Sequence, residues 1–441
     1  MLASTRSVEI QSRVFIVHHY SEIPEYKAMY EVKWRPIPNL AMDLIVPVLL
    51  NFVSLKLASK IFLTMIVVLF NIGGHMLGAA VHGSRNWIAL TISFFTYNFS
   101  FSYGFVNYMF GLGVFFVTLA IWLRFQDAWN WNRILIVSLL VLIAYLSHLS
   151  SYVFLGVAAF VMTLRHSIHA RGILIRHLLG LLPFALPVVA LFFYMHENTA
   201  PFEWWHPFIL KKLIGLTYPF ISHDIYFDLA ISLLFIVVLV VCLAMSRDVN
   251  AGLLLVGCVF AIGYFISPMS GGVHSAYLDR RFVVPAVVLL ILAFKIPASK
   301  TIGSLLMIGL LMLSIVRTGA VWKFWRGIDR AMEVEVALQN TIPVGAKVYP
   351  IFMGDRTAGA TAAYEMNFIH ALHYATINRY AFSPTIFSGY EATVLRVKKP
   401  YTGYSIILGE KPLADVNWTL FSTNTTMCGL TNCQPNTRLT C

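Results

Sequence analysis

Long uninterrupted apolar runs constrain this chain more than any other feature of its sequence. Several runs, such as 104–123 and 301–321, reach the ~20 residues that a helix needs to cross a bilayer. Charged residues make up only 12% of the 441 residues, whereas soluble domains carry about 25%. The runs are continuous rather than alternating, which excludes a membrane β-barrel. The sequence therefore predicts an all-α polytopic membrane bundle.

We predict about ten spanning helices from runs of this kind. The predicted spans are 61–81, 87–102, 104–123, 134–149, 150–165, 173–194, 227–246, 251–267, 281–297 and 301–321. The second of these is marginal, because Asn98, Ser100 and Ser102 place polar groups near its end.

Basic residues in short loops predict the orientation of these helices. The loop 165–177 holds three arginines, and by the positive-inside rule such a loop faces the cytoplasm. The loops 195–226 and 268–280 then lie outside, together with the residues before 57 and the tail after 322. The formal charge of +12 is explained by membrane orientation, and no soluble basic domain is visible. We therefore expect no nucleic-acid partner.

The chain divides by composition into three regions. Residues 1–56 are predicted to form an extracytoplasmic first loop with interfacial helices, 57–321 the transmembrane helical domain, and 322–441 a small extracytoplasmic α/β or α+β domain. In the tail, "AMEVEVALQNTIPVGAKVYPIF" predicts a helix, a turn and a strand, and "ATVLRV" and "YSIILG" predict further strands. The last twenty-odd residues, rich in Thr and Asn, are predicted to be poorly ordered.

An external N-terminal segment needs a preceding helix or a signal peptide to cross the membrane. Residues 1–13 have no apolar core region of the kind found in signal peptides. We therefore expect a first transmembrane helix to precede this chain. Alternatively, the short N-terminal segment follows the helix 61–81 outward.

The first outer region, 13–43, carries acids and aromatic residues. Its candidate catalytic residues are Asp43, Glu31 and Glu25, since a carboxylate can act as general base toward an attacking hydroxyl. Its candidate substrate-binding residues are Arg13, Trp34 and Arg35, because Trp stacks on a sugar or lies at headgroup level. The same composition also fits an interfacial segment whose charges face water.

The second outer region, 195–228, contains the stretch "FEWWHPF". Paired tryptophans at a helix end are typical of an aromatic belt at the membrane surface. Alternatively, Lys211 and Lys212, with His206 beside them, bind a lipid phosphate as point charges.

The third outer region, "PMSGGVHSAYLDRR" at 268–281, holds His274, Arg280 and Arg281. Outward-facing arginines run against the positive-inside bias, and Arg is suited to bidentate phosphate binding. A polyprenyl phosphate or a phospholipid headgroup is therefore a natural ligand. The alternative is an Asp279–arginine pair with ordinary phospholipid contacts.

In this order of elements the chain resembles the integral-membrane glycosyltransferases of the GT-C fold, which use polyprenyl-phosphate-linked sugars. It looks like uncharacterised bacterial members with a W-x-P-x-P-N-L-A-M-D-like first loop, here Trp34 to Asp43. Related bacterial chains carry an Asp-Tyr-Pro-x-His-x-x-Arg stretch with the catalytic Asp. Only Arg13 of that stretch is present, and Arg6 stands at the Asp position.

The resemblance implies transfer of a sugar from a polyprenyl-phosphate donor to an acceptor glycan or protein, in the bacterial inner (plasma) membrane. Asp43, Glu31 or Glu25 would act as base in a direct, inverting displacement through an oxocarbenium-like state. Arg280 and Arg281 would hold the leaving lipid phosphate, with Lys211, Lys212 and His206 in support. Membrane lipids are expected partners, and a divalent metal is an open expectation.

Three other functions stay open. A lipid-linked glycan ligase or polymerase would use similar outer-face arginines but a larger central external loop. A transporter or flippase would show repeated halves with matched broken helices and midplane charges, and no internal repeat is visible. A non-catalytic, degenerate membrane protein is favoured by the Arg at the expected Asp position.

Overall fold

The computed structural model describes residues 5–83, 86–126, 128–169, 178–185, 187–189, 200–246, 248–272, 275–295, 301–353, 371–384, 386, 393–399, 401 and 425–431. Most of these residues are helical. His274 and the sequence "YSIILG" lie outside the described residues.

The α-helices are α1 (Thr5–His19), α2 (Pro24–Met29), α3 (Ala41–Leu50), α4 (Leu55–His82), α5 (Phe99–Ser102), α6 (Val106–Phe125), α7 (Trp131–Ser147), α8 (Leu149–His169), α9 (Phe208–Gly215), α10 (Ile225–Ala244), α11 (Ala251–Ile266), α12 (Arg280–Leu292), α13 (Thr301–Gln339) and α14 (His373–Asn378). Short 3-10 helices cover Trp87–Phe95 and Leu179–Phe184.

The strands are β1 (Tyr30–Val32), β2 (Ala200–Glu203), β3 (Asp248–Val249), β4 (Ser270–Gly272), β5 (Ser275–Ala276), β6 (Phe294–Lys295), β7 (Lys347–Met353), β8 (Leu395–Val397) and β9 (Thr425–Thr431). The pairs β1–β8 and β3–β6 and the sheet β2–β4–β5 are antiparallel, whereas β7 and β9 are parallel.

Within the described residues, 5 helices are long and apolar enough to cross a membrane. They are α4, α6, residues Leu149–His166 of α8, α10 and residues Gly303–Arg330 of α13. The helices α7 and α11 are apolar but have 17 and 16 residues. The predicted helical chain with membrane-length helices is confirmed, and the higher span count stays a prediction.

The predicted span 87–102 is not one continuous helix. A 3-10 helix ends at Phe95, and α5 begins at Phe99. Asn98 lies between them, fully buried, where its side chain accepts a hydrogen bond from the Phe101 amide at 3.1 Å and donates to the Phe95 carbonyl at 2.8 Å. A buried amide of this kind caps a helix and competes with its continuation.

The predicted span 281–297 also differs. Here α12 ends at Leu292, and Phe294–Lys295 forms β6, which pairs with β3. Of the predicted span 173–194, the described parts comprise a 3-10 helix at Leu179–Phe184 and the short apolar stretch after it.

The chain divides into two compact units, which are described separately. Unit one comprises Met1–Arg35, Met42–Phe62 and Trp322–Cys441, and unit two comprises Pro36–Ala41 and Leu63–Val321.

Unit one joins the N-terminal region to the tail. In β1 and β8, Tyr30 pairs with Val397. The Tyr26 hydroxyl donates to the Thr376 carbonyl at 2.7 Å. A buried apolar cluster surrounds these contacts, and it includes Ile16, Met29, Phe382 and Leu395. The predicted first loop, 1–56, and the tail, 322–441, therefore share one core.

The tail of unit one matches the sequence pattern in one place and departs from it in another. The helix α13 ends at Gln339 and β7 begins at Lys347, as the pattern predicts. The stretch Thr425–Thr431 was predicted to be poorly ordered, and it forms β9 beside β7. Paired β-branched threonines fit a strand once a partner is present.

Unit two is packed around α6. Within this helix, 83% of the most apolar 18-residue segment is buried. The helices α4 and α6 cross closely at two glycines. A side-chain carbon at Gly73 would lie 2.9 Å from the Gly113 carbonyl oxygen, and one at Gly113 would lie 2.9 Å from the Phe70 amide. Small residues at such a crossing are typical of packed membrane helices.

Candidate functional site

Three loops meet in unit two. The β2–β4–β5 sheet places residues 200–203 beside 270–272, which pair in turn with 275–276. The Phe99 amide donates to the Tyr218 carbonyl at 3.0 Å. This hydrogen bond joins the segment that follows the 3-10 helix Trp87–Phe95 to the loop that carries Tyr218. Two predicted outer regions, separate in sequence, therefore form one site together with a third segment.

Aromatic rings surround Arg280 at this junction. Its guanidinium carbon lies 4.1 Å from the ring centres of Tyr218 and Tyr277, 4.7 Å from Trp205 and 5.1 Å from Phe99. We call Arg280 and these four rings the arginine cage. Ring faces stabilise a cation but leave its N–H groups without strong acceptors. Within the described part of the chain, the buried Nε of Arg280 has no hydrogen-bond partner.

The backbone conformation of Tyr277 is a second indication that the cage is a functional site. Its φ is 55°, in the left-handed region that a tyrosine rarely adopts. Backbone strain of this kind concentrates at functional sites. Burial raises the pKa of Tyr218, while the charge of Arg280 acts in the opposite direction.

Asp279 holds the residues of the arginine cage in place through hydrogen bonds. It is fully buried, and its carboxylate accepts from Lys212 Nζ at 2.8 Å, from Trp205 Nε1 at 2.9 Å and from the Arg280 amide at 2.9 Å. The last contact caps the N-terminus of α12. Asp279 therefore orients Trp205 and Arg280, and its own charge is matched by Lys212.

Lys212 has no N–H left for the predicted phosphate contact. It is 1% exposed, and its ammonium donates to the carbonyls of Tyr264 and Ser267 as well as to Asp279, each at 2.8 Å. An ammonium has three donors, and all three are in use. The two carbonyls end α11, where backbone groups lack helical partners. Lys212 thus links α9, α11 and α12.

The other predicted phosphate residues have different surroundings. Lys211 and His206 are exposed at the surface of the same loop. Arg281 is 8% exposed, with Nη1 3.5 Å from Ser150 Oγ and its guanidinium over the Phe105 ring. Neighbouring arginines therefore occupy different environments, and Arg280 is the one held in the cage.

Arg317 is a buried residue that the sequence reasoning missed. It is 2% exposed and donates to the carbonyls of Phe94, Tyr97 and Phe220, the last two at 2.7 and 2.6 Å. Irregular backbone in a membrane protein needs such donors, because lipid supplies none. An Arg inside the apolar run 301–321 was the available signal.

Asp228 balances the charge of Arg317. Its Oδ1 lies 3.6 Å from Arg317 Nε, and its carboxylate accepts from the amides of Ser222 and His223 at 2.7 and 2.8 Å. Burial lowers the pKa of His223, against an opposing effect of Asp228. We call Arg317, Asp228 and the three carbonyls the Arg317 clamp. The clamp holds the segments that carry Phe99 and Tyr218.

The predicted catalytic carboxylates all lie in unit one. Asp43 is 1% exposed and makes a bidentate pair with Arg13, with distances of 2.9 and 2.7 Å. Both oxygens are occupied and shielded, so this geometry does not suit the predicted general base, nor does it leave Arg13 for substrate. A structural pair is the physical alternative.

The remaining predicted site residues of the first outer region, 13–43, are accessible to solvent. Glu31 in β1 lies 3.1 Å from Lys33 at the surface. Glu25 in α2 is partly exposed and forms no ion pair in the described part of the chain. Trp34 is 53% exposed, and Arg35 is exposed as well.

No metal centre emerges from the residues that the structure describes. Groups of three or more His, Cys, Asp or Glu side chains placed to hold a metal ion are absent among them. The expected divalent metal therefore has no assigned ligands. Comparison with known proteins finds no matching family model, no matching curated protein and no matching solved structure.

Proposed function

We propose that this chain is a membrane glycosyltransferase that transfers a sugar from a polyprenyl-phosphate donor to an acceptor glycan or protein at the outer face of a bacterial inner membrane. One observation carries the proposal. Arg280 is a cation enclosed by aromatic rings, it keeps an unpaired N–H, and it lies at the N-terminus of an apolar helix.

The cage chemistry fits both halves of such a donor. A guanidinium binds phosphate through paired N–H groups and stabilises the charge that develops on a leaving phosphate. Exposed aromatic faces stack on sugar rings. The N-terminus of α12 adds partial positive charge on the same side. Asp279 and Lys212 neutralise each other, so the net positive charge of the cage comes from Arg280.

The general base is assigned to an accessible carboxylate. In unit two, Glu203 is exposed, and it accepts a hydrogen bond from Ser270 Oγ at 2.7 Å. It lies two residues before Trp205 of the cage. Glu203→Gln tests this role, since a variant of the base loses turnover while retaining donor affinity.

The test measures donor cleavage by the purified chain in lipid nanodiscs, with polyprenyl-phosphate sugars labelled in the sugar. Arg280→Gln is expected to weaken donor binding and turnover about 100-fold, since a charged phosphate contact is removed. The matched control is Arg133→Gln, because Arg133 also lies over an aromatic ring, at 5.0 Å from Phe125. Equal turnover by wild type and Arg280→Gln would refute the proposal.

The rival functions predict other readouts. A flippase would move a fluorescent lipid-linked sugar across a liposome membrane without cleaving it. A non-catalytic protein would bind the donor with neither transfer nor movement. Either result, obtained with folded protein, would replace glycosyl transfer as the function.

A further inference from the structure

The helix α9 buries one of its two lysines and exposes most of its apolar side chains. Lys212 is 1% exposed, whereas Ile209 is 71%, Leu210 55% and Leu213 53% exposed. A helix at the surface of a soluble domain buries its apolar stripe and exposes its charges. The arrangement in α9 is therefore inverted, and it is stable where the surroundings are apolar.

The buried side of α9 is fixed by specific contacts with the end of α11. Lys212 donates to the carbonyls of Tyr264 and Ser267, and the Tyr264 hydroxyl donates back to the Lys212 carbonyl. Gly215, one turn further on, lies against the Tyr264 hydroxyl with no room for a side-chain carbon. These contacts fix which face of α9 points inward, so the exposure of its apolar face is set by the fold.

The helix α11, which Lys212 contacts, also exposes apolar side chains. At the end of α11 that holds Lys212, Ile262 and Ile266 are exposed by 59% and 67%. The helix α11 is itself apolar along its length. The short helix of the loop and the predicted membrane helix that it contacts therefore both expose apolar side chains. Lys211 is exposed on α9, and a lysine of this kind extends its ammonium to lipid phosphates.

We infer that α9 lies in the membrane, with its apolar face in contact with lipid acyl chains and Lys211 at the headgroups. Single interfacial helices bind bilayers through buried apolar area together with basic side chains. The loop 195–226 is then partly inserted in lipid instead of lying wholly in water. Because Lys212 binds Asp279, this insertion holds the arginine cage at the membrane surface. The inference does not depend on glycosyl transfer.

The test measures membrane depth by spin labelling in lipid nanodiscs. The five native cysteines are replaced by serine, and single nitroxide labels are attached at Ile209 and Leu213. Power saturation compares oxygen, which concentrates in lipid, with a nickel chelate, which stays in water. Leu233 in α10, 65% exposed, is the lipid control, and exposed Glu203 in β2 is the water control.

Both α9 positions are expected to match Leu233, with oxygen access exceeding nickel access. Nickel access like that of Glu203 would show that α9 lies in water and would overturn the inference. Low access to both reagents would show that protein covers α9, either a partner or a second copy, and would overturn it equally. Leu210 provides a further labelling position if a label at Leu213 prevents folding.

Discussion

The arginine cage and the Arg317 clamp both place a guanidinium against an aromatic ring, since the Arg317 guanidinium carbon lies 4.7 Å from the centre of the Phe94 ring. The two sites differ in how the donors of the guanidinium are used. In the clamp, Arg317 donates to three carbonyls and faces Asp228, which is fully buried. The Nε of each arginine lacks a hydrogen-bond partner among the described residues, but in the cage Arg280 is surrounded by ring faces and its guanidinium donates no hydrogen bond to a described residue.

The difference separates a structural arginine from one available to a ligand. A buried charge with all of its partners inside the protein fixes backbone, and removal of one partner leaves the others unsatisfied. A cation held by aromatic faces is positioned at lower cost in hydrogen bonds, so an anion can still bind it. The following variants test this distinction.

Arg317→Met should have the largest effect. It leaves a buried carboxylate and several carbonyls without donors, and loss of one partner of a buried pair costs about 3–5 kcal/mol. The measurement is the free energy of unfolding in detergent by denaturant titration. Arg317→Met combined with Asp228→Asn should recover part of the loss. A change below about 1 kcal/mol, within the range of surface substitutions, would contradict the clamp.

Lys212→Met should have the next largest effect, because it leaves Asp279 buried without its counter-charge. We expect a loss of about 3 kcal/mol in unfolding free energy. Lys211→Met is the matched control and should change stability by less than about 0.5 kcal/mol, since Lys211 is exposed. Equal effects of the two substitutions would argue against the structural role of Lys212.

A pH titration extends the comparison to unit one, where His373 is fully buried and burial lowers its pKa to about 3. The unfolded state binds this proton near pH 6.5, so stability falls as pH drops from 6.5 toward 3, by about 1.4 kcal/mol per pH unit. Equilibrium unfolding at several pH values measures the slope. His373→Gln should reduce it, and an unchanged slope would assign the effect to other groups.

Arg280→Gln should have the smallest effect on stability, about 1–2 kcal/mol, because cation–π contacts contribute about 0.5–1 kcal/mol at exposed sites and about 2 kcal/mol when desolvated. The same variant should lose donor binding, as proposed above. Thermal unfolding and donor affinity, measured on one preparation, separate the two effects. A large loss of stability would place Arg280 with Arg317 as a structural residue.

Particular residues show how far the sequence reaches. The sequence singles out the arginines at 280–281 because their predicted outward position breaks the positive-inside pattern. The sequence alone does not predict that the two arginines have different roles. Arg280 and Arg281 are neighbours, and their environments depend on rings from distant loops. Lys211 and Lys212 are likewise adjacent, and the turn of α9 buries one and exposes the other.

Long apolar runs by themselves determine that this chain forms membrane-length helices, because lipid requires backbone hydrogen bonds to be made within a helix. The same local pattern determines the helix, turn and strand from α13 to β7. Only the tertiary structure decides that 87–102 breaks at Asn98, that β1 pairs with β8, and that three loops form the cage. These features depend on residues that are far away in sequence. A local pattern of hydrophobic and polar residues does not specify which distant residue provides a hydrogen bond or a ring contact.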